Sequence, residues 1–382
     1  LKITRDGFEL DLTYFHYYLF DSKPRFFTKK LENLFGPSRL FDTKINKRHY
    51  EIAGAMQRTF EKLVTHLILI TRRIGCKSNN LVLAGGAAMN CVFNGHLENK
   101  KIYKNIYIPP WPDDGGVAIG AALYLSHKLN KKKKSFSHLR DSFYGPKFSD
   151  KEIKNTLDKY KLKYFKPKNI FTYTANEIAD KKIIGWFQDA MEVGHRALGH
   201  RSILADPRNK FSKDLVNHAV KFRESFRPFA PSVLREDLEE WFEMNVDSPY
   251  MLLVANINPN KKIEMNDEQK NLFGIDKLNV KRSDIPAVTH VDYSARIQTV
   301  TKNTNSRYYD LISKFREKTG CPIIINTSFN VRGEPIVNTP KDAFNCFMGT
   351  ELDYLVIGDC ILDKSKQDPN LKKDYTKEFE LD

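Results

Sequence analysis

Five short apolar runs, bounded by glycine, proline or a carboxylate, constrain this fold most: LVLAGG (81–86), IYIPP (106–110), KKIIGWF (181–187), PIIIN (322–326) and DYLVIGD (353–359). Runs this short and this apolar read as buried strands rather than helices. Helical patterns alternate with them. Over 50–74, Ile52, Met56, Phe60, Leu63, Leu67, Ile70 and Ile74 recur every three or four residues and predict one long amphipathic helix ended by Gly75. DDGGVAIGAALYLSHKL (113–129) opens on carboxylates and glycines and turns helical, and DKEIKNTLDKY (150–160) predicts a helix capped by Ser149. Strand, turn and helix in alternation predict an α/β architecture.

With 382 residues the chain exceeds one comfortable core, so two domains are expected. NKKKKSFSHLRD (130–141) lacks apolar periodicity and reads as a linker, which places the domains at 1–128 and 142–364. The polar stretch 263–286 reads as a surface excursion, and the charged tail after Ser365 as a fraying end. An apolar share of 41 % separates the chain from disordered sequences, and no apolar run approaches the ~18 residues of a membrane span. The opening LKITRDGFELDLTYF is charged and then alternating, unlike a signal peptide; lacking an initiator Met, it predicts a chain that begins inside a longer product. Five widely spaced cysteines without a CxxC argue for a reducing, cytoplasmic setting over a disulfide or zinc framework.

A net charge of +15 admits three readings, ranked as a lysine-rich surface, then a polyanionic small substrate such as ATP, then nucleic acid. Chemistry-bearing positions sharpen the second. LAGGAAMN (83–90) sets Gly85 and Gly86 after a strand, where bare backbone N–H groups approach a nucleotide or simply make a tight turn. Asp113 and Asp114, before Gly115, Gly116 and Gly120, either ligate a divalent metal or cap the next helix. The second half carries Arg196, Arg201 and Arg208 in MEVGHRALGHRSILADPR (191–208), and Lys221, Arg223 and Arg227 in KFRESFRPFAPS (221–232). Arg296 follows in THVDYSARIQTV (289–300), then Ser328, Asn330 and Arg332 in NTSFNVRGEPIV (326–337). These cations stand beside Phe, Pro, Ala and Ile, where burial without an anion is costly. Guanidinium forks match phosphate oxygens, so the set predicts a phosphate-binding basin; ion pairing is the plainer reading of any one member. On a strand, Lys221 and Arg223 would share a face, as would Ser328 and Asn330.

These segments resemble the O-carbamoyltransferases of the NodU/CmcH type. LAGGAAMNCVFNG (83–95), the Asp114 glycine turn, GHRALGHRSILADPR (194–208), KFRESFRPFAPSVL (221–234), SPYML (248–252), IPAVTHVDYSARIQTV (285–300) and NTSFNVRGEPIVNTP (326–340) carry the likeness, which runs from about residue 50 to 360. The resemblance implies the C-terminal lobe of a sugar-kinase/actin-like domain followed by a YrdC-type α/β domain. It implies that ATP and carbamoyl phosphate form carbamoyl-adenylate, whose carbamoyl group passes to a hydroxyl of a small-molecule acceptor. Lys221-x-Arg223 and Ser328-x-Asn330 match the motifs that hold nucleotide and acyl phosphates in the related fold, which makes Lys221, Arg223 and Arg296 the catalytic set. Gly85, Gly86, Asn90, Arg196, Arg201, Arg332, Ser328 and Asn330 become the nucleotide-binding set, with Mg2+ accompanying ATP. Asp114 matches a metal-ligand aspartate, while the histidine pair that completes an Fe2+-type site has no counterpart among the ten histidines here. The expectation is therefore a chain lacking the N-terminal part of the first domain. Such a chain is completed by an N-terminal partner chain, or is competent only in adenylation. A factor that places carbamoyl adducts on tRNA or protein, and a non-catalytic subunit, are the alternatives.

Overall fold

The computed structural model describes residues 1–16, 26–40, 43–129, 141–221 and 227–372. Two compact units comprise Leu1–Leu81 with Leu97–Ile106, and Val82–His96 with Tyr107–Asp382.

In the first unit, β1 (Lys2–Thr4) and β2 (Gly7–Glu9) form an antiparallel hairpin. The long helix expected at 50–74 spans Lys47–Arg73, entered through a capping box between Asn46 and His49. Its last turn is anchored by Thr71, whose hydroxyl lies 2.5 Å from that of Tyr103, and by Arg72, 3.8 Å above the Tyr103 ring. Only Ile68 of this helix is fully buried, while Met56 stands 68 % exposed. Short strands β3 (Asn80–Val82) and β4 (Asn105–Tyr107), expected from LVLAGG and IYIPP, pair with each other but are not buried: Val82 and Tyr107 are exposed.

The second unit is built on an eight-stranded mixed sheet. Its strands are β5 (Ile184–Phe187), β6 (Arg201–Ala205), β7 (Ala230–Leu234), β8 (Leu253–Asn256), β9 (Ser294–Val300), β10 (Ile323–Ser328), β11 (Tyr354–Ile357) and β12 (Cys360–Asp363). The order is β12-β11-β5-β6-β10-β7-β9-β8, with parallel pairs only at β11/β5 and β7/β9. Strands β5, β6, β7 and the start of β10 are buried throughout, as short apolar strands covered on both faces must be. The helix Ile170–Ala179 packs against Ser306–Thr319, which buries Tyr308, Leu311, Ile312 and Phe315. Helix Asp150–Lys159 starts at the expected Ser149, in a reciprocal capping box with Glu152.

Three expectations meet a different outcome. Lys221 does not lie on a strand; it closes a π-helical turn, Asn217–Lys221, that continues the helix Ser212–Val216. Ser328 ends β10, so Asn330 reaches it through the following turn rather than across a strand face. The stretch 263–286 is not all surface: Arg282, Ser283 and Ile285 are buried, and the Arg282 guanidinium binds the carbonyls of Lys277 (2.6 Å) and His290 (2.9 Å). The compact units are bounded in sequence at 81/82, 96/97 and 106/107. Val82–His96 and Trp111 pack with the large sheet's unit: Asn94 Nδ2 donates to Leu252 O at 3.0 Å and Trp111 Nε1 to Val193 O at 2.7 Å. The expected linker, apart from Asp141, and Arg223 lie outside the described residues.

Candidate anion site

The loop between β5 and β6 is fixed from within by one buried carboxylate. Glu192, 2 % exposed, accepts from the backbone N–H of Leu198 and His200 at 2.7 Å and of Arg201 at 3.2 Å through a single oxygen. Trp186 Nε1 holds Gly199 O at 2.9 Å from below. Gly199 has φ +107°, and a Cβ there would sit 2.3 Å from the Tyr308 ring, so only glycine fits. The loop thereby presents His195, Arg196 and Ala197 in one fixed arrangement.

Those three residues line a cavity of about 340 Å³, within the usual ~300–1,000 Å³ of small-molecule sites. The rest of the wall comes from Arg227–Ala230 leading into β7, Val254 of β8, His290 and Arg296 at the start of β9, and Asn326–Ser328 ending β10. The register explains the convergence: Asn326 pairs with Ala230, and Arg296 with Val254, so one end of four strands opens into the same space. Cys91 and Val92 add the first turn of helix Cys91–Lys100, whose positive dipole end thus borders the cavity.

Three guanidiniums, Arg196, Arg227 and Arg296, stand in this wall, and no carboxylate belongs to the described lining. Burial pushes the Arg196 guanidinium below its ordinary value, and its Nε is buried without a partner among the described residues. Burial, with Arg296 and Arg282 nearby, lowers His290 against the opposing pull of Asp292, which leaves a neutral imidazole. Beside the cavity, the buried Lys221 ammonium binds Ser328 Oγ (3.0 Å), Ser328 O, Asn330 O (2.9 Å) and Asn330 Oδ1 (2.6 Å). This ammonium ties the end of β10 to the turn that follows it.

Of the site residues read from the sequence, Arg196, Arg296 and Ser328 line the cavity, and Lys221 and Asn330 join it through Ser328. Arg201 does not. It is fully buried, stacks 3.6 Å from the Phe187 ring, and spends its Nη donors on the carbonyls of Gln188, His200, Pro146 and Asp189. Burial pushes it down to about 10, so it stays charged at neutral pH and clamps the loop rather than facing a ligand. Asn90 caps helix Cys91–Lys100, its Oδ1 accepting from Phe93 N at 3.0 Å; Gly85 (φ +94°) turns the chain and Gly86 opens the turn Gly86–Met89. Arg332 lies half-buried past β10. Arg227, one of the cations expected in a phosphate-binding basin, also lines the cavity, whereas His195, His290 and Asn326 stood in the quoted motifs with no role assigned.

The residues around Asp114 do not fit a resident Fe2+. Asp114 is exposed, and no group of three or more His, Cys, Asp or Glu side chains gathers among the described residues. The neighbouring Asp113 instead binds His195 Nε2, which holds its carboxyl below the usual carboxylate range.

The second unit is thus an α/β unit whose strands converge on a cavity lined by three arginines, with no carboxylate in its described lining. Family models of the carbamoyltransferase N-terminus and C-terminus match residues 5–123 and 175–364, and the chain belongs to the carbamoyltransferase family. The N-terminal match leaves the expected loss of the first domain's N-terminal part, and with it competence in adenylation alone, without support. An uncharacterised Synechocystis protein is 44 % identical over all of this chain and 63 % of its own length. The nodulation protein NolNO of Sinorhizobium fredii is 37 % identical over 87 % of this chain and 48 % of its own length. A 3'-hydroxymethylcephem-O-carbamoyltransferase of Streptomyces clavuligerus is 27 % identical over 84 % and 56 %. The chain thus spans about half to two-thirds of the length of these relatives. No described helix is long and apolar enough to cross a membrane.

Proposed function

We propose that the chain is an O-carbamoyltransferase, or part of one. In this reading it binds ATP and carbamoyl phosphate at the arginine-walled cavity and forms carbamoyl-adenylate. The carbamoyl group then passes to a hydroxyl of a small-molecule acceptor. The observation that carries the reading is the wall itself: the guanidiniums of Arg196, Arg227 and Arg296 stand around one cavity whose described lining holds no carboxylate, a setting that suits phosphate oxygens. Arg196, Arg227 and Arg296 would bind phosphate oxygens, while Lys221 fixes Ser328 and Asn330 against the same group. Arg223 is assigned to that wall on its Lys-x-Arg motif alone. Phosphate-transfer chemistry of this kind rests on positioning and charge neutralisation, so it asks for no protein nucleophile. By atom balance, carbamoyl phosphate, ATP and one water give carbamoyl-adenylate, inorganic phosphate and pyrophosphate; Mg2+ arrives with the nucleotide. The relative whose name states transfer to a hydroxymethyl group supports a hydroxyl acceptor. Residues 1–128 would then serve as an actin-like transfer lobe and 142–364 as the YrdC-like adenylating domain, in the cytoplasm.

The direct test is calorimetric titration of carbamoyl phosphate into the purified chain and into Arg296→Ala. Loss of the charged hydrogen bonds should weaken binding by ~2–4 kcal/mol. Equal affinity in the two proteins removes Arg296 from the site, and no binding to either removes the reading.

A further inference from the structure

Asn326 is 1 % exposed and stands in the cavity wall. Its Nδ2 donates to the Ala197 carbonyl at 3.1 Å and to Gln298 Oε1 at 2.8 Å. A backbone carbonyl only accepts, so the amide nitrogen must face Ala197 and the amide cannot turn over. Gln298 is oriented by the same logic: its Nε2 donates to Leu198 O at 2.8 Å, which turns Oε1 toward Asn326 and toward Ser232 Oγ at 2.6 Å. Polarity is therefore fixed along the whole buried row, and it ends on Asn326 Oδ1, which has no partner among the described residues. That oxygen can only accept.

An ionised phosphate oxygen cannot satisfy it, because it too only accepts; the ligand must bring an N–H or O–H. The same wall has a cation on either side. Arg196 precedes the Ala197 that anchors the amide, and Ser328, whose Oγ accepts from the Lys221 ammonium at 3.0 Å, lies two residues along the same strand face as Asn326. A ligand that fits both features carries an anion at one end and a hydrogen-bond donor within a bond or two of it. Resting on the reading above, we propose that Asn326 Oδ1 accepts from the –NH2 of the carbamoyl group. Asn326 is then the residue that selects carbamoyl phosphate over acyl phosphates of the same shape. Acetyl phosphate is the discriminating analogue, since a methyl replaces the amino group and leaves the oxygen buried and unpaired. Sites built around a buried polar group reject the analogue that lacks its partner far more strongly than apolar pockets sort by size.

The experiment is calorimetric titration of the full chain with carbamoyl phosphate, acetyl phosphate and inorganic phosphate, repeated on Asn326→Leu. The expected result is that the chain binds carbamoyl phosphate at least about 100-fold more tightly than acetyl phosphate. In Asn326→Leu the two should converge to within about tenfold, while inorganic phosphate binding is retained. If the unaltered chain binds all three alike, the amino subsite is wrong and the anion site stands. If it binds none, both fall. Because the comparison among ligands needs only the unaltered chain, the proposal remains testable if the variant does not fold.

Discussion

At Arg196 a guanidinium is desolvated and its Nε has no partner among the described residues, a cost of roughly 1–3 kcal/mol to the unliganded chain. Replacing it by an apolar side chain of similar length removes that cost. Arg196→Met should therefore raise the melting temperature by about 2–4 °C and weaken carbamoyl phosphate binding roughly tenfold to hundredfold. A variant with lower stability and unchanged binding would reverse the role assigned to Arg196. Glu192 predicts the opposite pattern. Three backbone N–H groups converge on one of its oxygens, and Glu192→Ala should cost about 2–4 kcal/mol in urea unfolding. Glu192→Gln, which keeps an acceptor, should recover part of that loss. The sequence pointed to the arginines because cations among Phe, Pro and Ala are out of place. It could not separate Arg196 from Arg201, since which one faces the cavity depends on β6 pairing with β5, where Arg201 meets Phe187. Asn326 was readable only as a polar end to the apolar run PIIIN.

Strand pairing also decides what was legible among the elements. The runs IIGWF, PIIIN and DYLVI announced β5, β10 and β11, because uninterrupted apolar residues declare a buried strand wherever they pair. Strands β6, β7 and β9 went unread: RSILA, APSVL and SARIQTV interleave Arg, Pro, Ser and Gln with their apolar residues; of these, Arg296 lines the cavity while Arg201 clamps the β5–β6 loop. Pro231 sits opposite Ile325 in the middle of the sheet, where proline ordinarily argues against a central strand. The turn from the β5–β6 loop into β6 rests on Gly199, whose φ of +107° and contact with Tyr308 leave no room for a methyl group. Gly199→Ala should cost about 2 kcal/mol or more and shift the chemical-denaturation midpoint, with a larger effect than Gly120→Ala, where a Cβ meets open space. Equal costs at the two positions would show that the loop relaxes freely.

For the molecule as a whole, His290 sets a dependence on pH. Burial lowers it from its ordinary 6.5, so the unfolded chain takes up the proton first as pH falls, and stability is present above 6.5 and lost progressively below it. Urea unfolding between about pH 7.5 and 5.5 should show that decline, flattened in His290→Asn. A slope that is the same in both proteins would assign the titration elsewhere. The α/β class and the family were readable from motifs. Less legible is that Val82–His96 and Trp111 are fastened within the second unit by contacts with residues more than eighty positions away in sequence. That the cationic cavity serves carbamoyl-adenylate formation is tested most directly by mass spectrometry of products after incubating the chain with Mg2+-ATP and carbamoyl phosphate. The expected products are carbamoyl-adenylate, pyrophosphate and inorganic phosphate, falling at least about tenfold in Arg296→Ala. ATP left intact by a folded chain that binds both substrates would contradict that role.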